Sequence, residues 1–132
     1  MIASFALAGQ VLDDKEYVRA AEKAAEFVQK NLTTNKGKLL KRFRLGEAGL
    51  SPHLDDYSFM IWGLLNLYEA TFNVDYLSRA IDLMTVMVED FSDGNGGFYI
   101  GSKSSEKLMV RAKDSYDSAI PSGKLCCSIE SF

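Results

Sequence analysis

The sequence predicts an all-α fold made of helical hairpins, with one small β-hairpin. Four segments carry apolar residues at helical spacing. These segments alternate between nearly all-apolar and clearly two-faced, and only every second connection between them is long. Helices that are apolar all round belong in an inner layer, and two-faced helices belong in an outer layer. This alternation is typical of an α/α toroid whose functional surface lies on one side of the helix layer.

The first predicted hairpin consists of helices at about 1–12 and 15–32. Ser4 and Gln10 are the only polar side chains of the first segment, which therefore reads as an inner helix. Asp13 and Asp14 supply capping oxygens for the second segment, whose apolar residues share one face while charged residues cover the other. This second segment is predicted to be an outer helix.

The second predicted hairpin consists of helices at about 55–72 and 75–91. The earlier segment is apolar on most sides, and Asn73 can cap the later one, which is again amphipathic. The apolar positions of the two outer helices match at one constant offset along the chain. A repeated helical hairpin is the simplest explanation of this match.

The connections predict where a functional surface would lie. Each hairpin is closed by about two residues, whereas residues 33–54 and the chain from 92 onward form long connections. Both long connections follow an outer helix, so we expect both at the same side of the helix layer. Residues 38–45 partly alternate and could form a short strand arm, and residues 97–111 read as a β-hairpin.

Composition excludes several classes of function. The chain has 132 residues, 47% hydrophobic and 25% charged, as in an ordinary globular protein. The net charge of -3 indicates no nucleic-acid partner, and no apolar span is long enough for a membrane helix. Cys126 and Cys127 are adjacent, without metal-ligand spacing, which suits a reducing compartment. We expect a cytoplasmic protein with no metal, no cofactor and no membrane partner.

The start of the third helix holds the candidate catalytic residues, Asp55 and Asp56. One interpretation is helix capping, helped by the positive end of the helix dipole. In the other, the two carboxylates divide acid and base roles, with a partner group from another loop. His53, the only histidine, is either a structural loop residue or a general acid or base.

A polar stripe follows the third helix and offers candidate binding residues. Its members recur in steps of three and four and include Asp55, Ser58, Trp62, Asn66 and Glu69. The stripe is either a solvent-facing edge or the lining of a cavity in which Trp62 stacks on a sugar and Asn66 bonds to it. The turn-rich segment 113–123 would form the second wall. The complete set of candidate substrate-binding residues is His53, Tyr57, Trp62, Asn66, Tyr116 and Asp117.

One local basic cluster lies in the first long connection. Its members are Lys36, Lys38, Lys41, Arg42 and Arg44. Such a run is usually a solvated surface, and its alternative role is binding of an acidic sugar or a phosphate.

Several sequence motifs of this chain resemble those of a family whose members join an N-terminal thioredoxin-like domain to a C-terminal six-hairpin (α/α) toroid. The family includes the spermatogenesis-associated thioredoxin-domain proteins. The matching motifs are Leu12-Asp13-Asp14, Leu54-Asp55-Asp56-Tyr57-Ser58-Phe59, Trp62-Gly63-Leu64-Leu65, Gly96-Gly97-Phe98-Tyr99 and Tyr116-Asp117-Ser118-Ala119-Ile120-Pro121-Ser122-Gly123. The resemblance implies that residues 1–123 are part of an (α/α)6 toroid, incomplete in this chain, followed by an atypical tail at 124–132.

The resemblance also implies a class of function. The family's toroid is similar to those of N-acylglucosamine 2-epimerases and six-hairpin glycosidases, so a carbohydrate-type pocket is expected. The longer parent would be a sugar epimerase, isomerase or hydrolase, with this piece inactive alone. The alternatives are a non-catalytic helical interaction or structural module and a redox-linked accessory domain. An uncovered helical edge would favour self-association.

Overall fold

A computed structural model describes residues 1–103 and 112–113. It is mostly helical, with four helices and one two-stranded antiparallel sheet. In chain order the elements are α1 (Ile2–Leu12), α2 (Lys15–Asn31), β1 (Arg42–Arg44), β2 (Glu47–Gly49), α3 (Leu54–Thr71) and α4 (Val74–Phe91). Each helix boundary lies within about one residue of the range that apolar periodicity and capping residues predict.

The two helical hairpins are closed by the same local device. α1 ends at Asp13 in the left-handed conformation, and the Asp14 side chain then accepts the Glu16 N–H at 2.8 Å. α3 ends at Phe72, also left-handed, and the Asn73 side chain accepts the N–H of the second residue of α4 at 3.0 Å. A left-handed residue followed at once by an N-cap turns the chain sharply, which explains connections of only two residues.

α3 is the centre of the core because it packs against α1, α2 and α4. Eight of its residues are buried, and Tyr57, Ile61 and Leu64 are at most 1% exposed. A Cβ atom at Gly63 would lie 3.1 Å from Ile2 Cβ, so the missing side chain allows α1 to approach closely.

The exposure of α1 corrects a prediction from the sequence. Being apolar on nearly all sides, α1 is expected to be more buried than α2 and α4. Only Ala6 and Gly9 are buried, which equals the two buried residues of the longer α2 and is fewer than the five of α4. Leu7, Val11 and Leu12 are 51%, 74% and 62% exposed. The physical reason is that α1 packs on α2 and α3, and no described element covers its remaining side.

The small sheet forms in the first long connection, within and just after the segment predicted as a strand arm. Arg42 pairs with Gly49 and Arg44 pairs with Glu47. Leu45 and Gly46 both have positive φ, 53° and 85°, as a type I′ hairpin turn requires. The hairpin predicted at 97–111 extends into residues outside the described part of the chain. Of its described residues, Phe98 bridges to Ser92, and the Ile100 N–H donates to the Ala112 carbonyl.

Candidate functional site

The two long connections meet at one end of the helix layer. The Leu54 N–H donates to the Ile100 carbonyl at 3.0 Å, and His53 forms an isolated antiparallel bridge with Gly101. The residues just before α3 are therefore held by the residues that follow α4. The described parts of both connections share one side, as the alternation of short and long links predicts.

Asp90, near the end of α4, joins these connections through its carboxylate. Lys38 Nζ of the first connection lies 2.6 Å from Asp90 Oδ2, and Ser102 Oγ of the second donates to the same oxygen at 3.3 Å. The Asp90 side chain is only 15% exposed, and Ser102 is buried. Partial burial weakens competition from water, so this charge-assisted network is stronger than a surface ion pair.

The Asp90 network borders a cavity of about 630 Å³, which is within the size range of small-molecule sites. We call it the polar cavity because most of its lining residues carry a hydroxyl, amide, ammonium or carboxylate group. Its lining consists of Thr34, Asn35, Lys36, Lys38, Leu39, Leu40, Leu50, Ser51, Pro52, Asp90 and Ser102. Both long connections and the end of α4 thus contribute to one concave surface.

The two candidate catalytic aspartates have different environments. The carboxylate of Asp56 accepts the backbone N–H of His53 at 2.7 Å, which stabilises the first turn of α3. Asp55 is exposed. Lys41 Nζ lies 2.9 Å from Nδ1 of the His53 ring, a distance at which the ammonium donates to the ring nitrogen of a neutral imidazole. Asp56 therefore has a capping role, and Asp55 projects from the same turn.

Tyr57, a candidate binding residue, lies in the core beneath this surface. Its hydroxyl accepts the Leu39 N–H at 3.1 Å, and its ring meets Phe91 edge-on at 5.4 Å. Burial raises the pKa of Tyr57, the hydrogen bond from Leu39 lowers it, and the charges of Asp90 and Asp56 raise it further. Tyr57 thus anchors the first connection, close to a carboxylate from each of two helices.

A second cavity, of about 580 Å³, lies between the first residues of α1, the end of α2 and the start of α3. We call it the apolar cavity, since Lys41 and Asp56 carry its only charged side chains among the described residues; Met1, with the N-terminal ammonium, also lines it. The other residues that line it are Met1, Ile2, Ala24, Phe27, Val28, Leu32, Leu39, Leu40, Phe59 and Met60. Of the two candidate catalytic residues, Asp56 lines the apolar cavity.

The predicted polar stripe on α3 is interrupted. Ser58 is buried, and its hydroxyl donates to the Leu54 carbonyl at 2.9 Å. Trp62 is 45% exposed, with its ring 6.5 Å from that of Phe59. The Asn66 side chain donates to the Trp62 carbonyl at 2.9 Å. Trp62 and Asn66 are absent from the linings of both cavities and lie farther along α3 from the connections.

The predicted second wall is only partly described, because Tyr116 and Asp117 lie outside the described residues. Lys113, at the start of this segment, forms an ion pair with Asp93 in the turn that follows α4. The hydrogen bond from Lys113 holds the pKa of Asp93 well below its usual range, and the N–H groups of Asn95 and Gly97 lower that pKa further. The beginning of the segment is therefore tied to the second connection.

The described residues limit the chemistry that this end can support. They contain no group of three or more histidine, cysteine, aspartate or glutamate side chains that could hold a metal ion. Among the same residues, no helix is long and apolar enough to cross a bilayer. What the arrangement offers is hydrogen bonding, charge and acid–base groups at a concave surface.

Sequence reasoning missed Asp90 and Ser102. Asp90 occupies the last turn of an amphipathic helix, where an acidic residue usually reads as surface. The position of Asp90 could have indicated its role, because it lies immediately before a long connection that is predicted to line the site. No periodic pattern distinguishes Ser102.

Comparison with known proteins identifies similar chains in animals. No family model matches the sequence. The chain is 34% identical over 128 residues to an uncharacterised protein of Caenorhabditis elegans. It is 32% identical over 133 residues to spermatogenesis-associated protein 20 of Rattus norvegicus and 31% identical to that of Homo sapiens. These matches include 91–92% of the chain, which spans about a sixth (17%) of the length of each relative.

Proposed function

We propose that this chain is part of a longer protein with a six-hairpin (α/α) toroid, and that its connection end contributes to a binding site for a sugar or sugar-like molecule. The observation that carries the proposal is the polar cavity, which both long connections border and in which Asp90 bonds to Lys38 and Ser102. The repeated hairpin turn at Asp13 and Phe72 supports the repeat architecture. The match to 17% of the length of the rat relative supports a longer protein of which this chain is a part.

The polar cavity suits a molecule with several hydroxyl groups. A sugar hydroxyl can donate to a carboxylate and accept from an ammonium at the same time. Asp90 and Lys38 provide one such pair, and the side chains of Thr34, Asn35 and Ser51 add neutral partners. Because the charges of Asp90 and Lys38 offset each other, a neutral polyol can bind without leaving an uncompensated charge.

In the longer protein, Asp55 and Asp56 would serve as acid, base or substrate-orienting groups of a sugar epimerase, isomerase or hydrolase. The charges of Asp56 and Asp90 both act on Tyr57, which supports carboxylates from two helices near the connection end of the layer. Tyr116 and Asp117 would extend its walls. We propose no cofactor and a cytoplasmic setting. Catalysis by this chain alone is not part of the proposal.

The binding proposal can be tested by titrating the chain with N-acetylglucosamine and mannose while following amide shifts by NMR. Cyclohexanol serves as a ring of similar size with a single hydroxyl group. We expect sugar-dependent shifts around Asp90, and the Asp90→Asn variant should weaken binding about tenfold, since a charge-assisted hydrogen bond is lost. Asp82→Asn, on an exposed part of the same helix, is the matched control. Absence of shifts, or equal shifts with cyclohexanol, would contradict the proposal.

A non-catalytic helical module is the second candidate. The observation that favours it is the exposed apolar side of α1, where Leu7, Val11 and Leu12 face away from the described core. A surface of this kind is typical of a site that packs against another protein surface. Sugar titrations without shifts, together with self-association through α1, would favour this function over the first.

A further inference from the structure

The apolar cavity is separate in character from the polar cavity of the proposed function. Its volume of about 580 Å³ lies within the range of small-molecule sites. The aromatic rings of Phe27 and Phe59 and the side chain of Met60 line it, and α1, α2, α3 and the first connection all contribute to its walls. A mostly apolar wall with a few polar groups is the usual composition of a site for a molecule with an apolar body.

The charged side chains at the rim of the apolar cavity, Lys41 and Asp56, determine which polar group a bound molecule would carry. Asp56 already accepts the His53 N–H at 2.7 Å, so one of its oxygens is in use within the protein. Lys41 Nζ donates one hydrogen bond to His53 Nδ1 at 2.9 Å, and an ammonium has three protons to donate. Lys41 can therefore bind an anion without giving up its bond to His53.

The surrounding segment strengthens the same preference. Between residues 36 and 47 the chain has five basic side chains and one acidic side chain, Glu47, although the whole chain carries a net charge of -3. The basic residues are Lys36, Lys38, Lys41, Arg42 and Arg44. Such a local excess of positive charge attracts an anion to this rim.

We propose that the apolar cavity binds a small amphipathic monoanion, an alkyl or aryl carboxylate, with its apolar body inside the cavity and its carboxylate on Lys41. The body lies against Phe27, Phe59 and Met60. Binding adds a hydrogen bond at Lys41 and removes apolar surface of both partners from water. This site does not depend on sugar binding in the polar cavity.

The head-group part of the proposal is tested by titrating the chain with octanoate and with 1-octanol at neutral pH, using calorimetry. The two ligands have chains of equal length, and only octanoate is charged. We expect octanoate to bind about tenfold more tightly, and Lys41→Met to remove this preference while leaving octanol affinity unchanged. Lys36→Met removes one charge of the same basic segment but lies outside the lining of the apolar cavity, so this matched control should weaken octanoate far less than Lys41→Met does and leave octanol affinity unchanged. Equal affinity of the two ligands for the unmodified chain would overturn the proposal.

The location of the apolar body is tested by filling the cavity. Ala24→Leu places a larger side chain on the wall and should weaken octanoate and octanol alike, by about tenfold. Ala20→Leu lies one turn earlier on α2, outside the cavity lining, and should have no such effect. Circular dichroism of each variant establishes that the helices are retained. Octanoate binding that survives both Lys41→Met and Ala24→Leu would place the ligand elsewhere and overturn the proposal.

Discussion

α1 and α3 have similar sequences in one respect, since both are apolar on most sides, yet they differ greatly in burial. α3 contacts three other helices and has eight buried residues, whereas α1 contacts two and has two buried residues. An apolar surface on all sides of a helix indicates that the helix needs to be buried. How far it is buried depends on the elements that pack against it. No described element covers the remaining side of α1, which is therefore available to pack against another protein surface.

The largest expected effect compares one leucine of α3 with one leucine of α1. Leu64 of α3 is 1% exposed and Leu7 of α1 is 51% exposed. Leu64→Ala should lower the free energy of unfolding by about 2–5 kcal/mol because it leaves a cavity in the core. Leu7→Ala should cost less than about 1 kcal/mol. Urea unfolding measures both changes, and equal losses would contradict the difference between the helices.

The next effect concerns the polar anchor beneath the site. Tyr57→Phe removes the hydroxyl that accepts the Leu39 N–H and leaves that buried donor without its partner. We expect a loss of about 1–3 kcal/mol in the free energy of unfolding. Tyr17→Phe, at a position that is 38% exposed, is the control and should change stability little. If the two variants unfold alike in urea, the Tyr57 hydroxyl does not anchor the first connection.

A smaller effect measures how tightly α1 is docked. A Cβ atom at Gly9 would collide with Val18 Cγ2 and lie 3.2 Å from the Asp14 carbonyl oxygen, so Gly9→Ala forces the first hairpin apart. Overpacking should outweigh the gain of about 1 kcal/mol in helix propensity, giving a net loss of about 1–2 kcal/mol. Gly49→Ala has open space and is the control. Stabilisation by Gly9→Ala in thermal melts would mean that α1 is loosely held.

The smallest effect is a pH dependence at the second connection. The pKa of Asp93 is lowered in the folded chain by Lys113 and two backbone N–H groups. Its ionised form therefore stabilises the fold above the ordinary carboxyl pKa of about 4, and this contribution is lost as the pH falls toward the lowered value. Asp93→Asn should be less stable than the unmodified chain at pH 7, with a gap in urea midpoint that narrows below pH 4. A gap that is constant with pH would contradict this assignment.

The sequence predicted those features of the fold that depend on neighbouring residues. Asp14 and Asn73 are capping residues that follow directly from local chemistry, and they set the starts of α2 and α4. The side of α3 that faces a cavity does not follow from its polar stripe, because the α3 residues that line the apolar cavity are Asp56, Phe59 and Met60. Tyr57, a predicted pocket residue, lies in the core.

The composition of the candidate site depended on contacts that the sequence does not encode locally. Asp90 is 52 residues from Lys38 and 12 from Ser102, and irregular connections bring the three together. Such connections have no periodicity from which their path could be inferred. The end of the helix layer at which the site lies was predictable, because it follows from the alternation of short and long links.

The claim that the exposed apolar side of α1 needs a packing partner is tested most directly by sedimentation velocity of the chain over a range of concentrations. We expect self-association at micromolar concentrations, since the exposed apolar residues gain cover from a second copy. The double variant Leu7→Lys/Val11→Lys should sediment as a monomer of 14.7 kDa. A chain that remains monomeric at every concentration, and that melts in one sharp transition at high temperature, would contradict the account. It would mean that these four helices form a complete domain and that α1 needs no further cover.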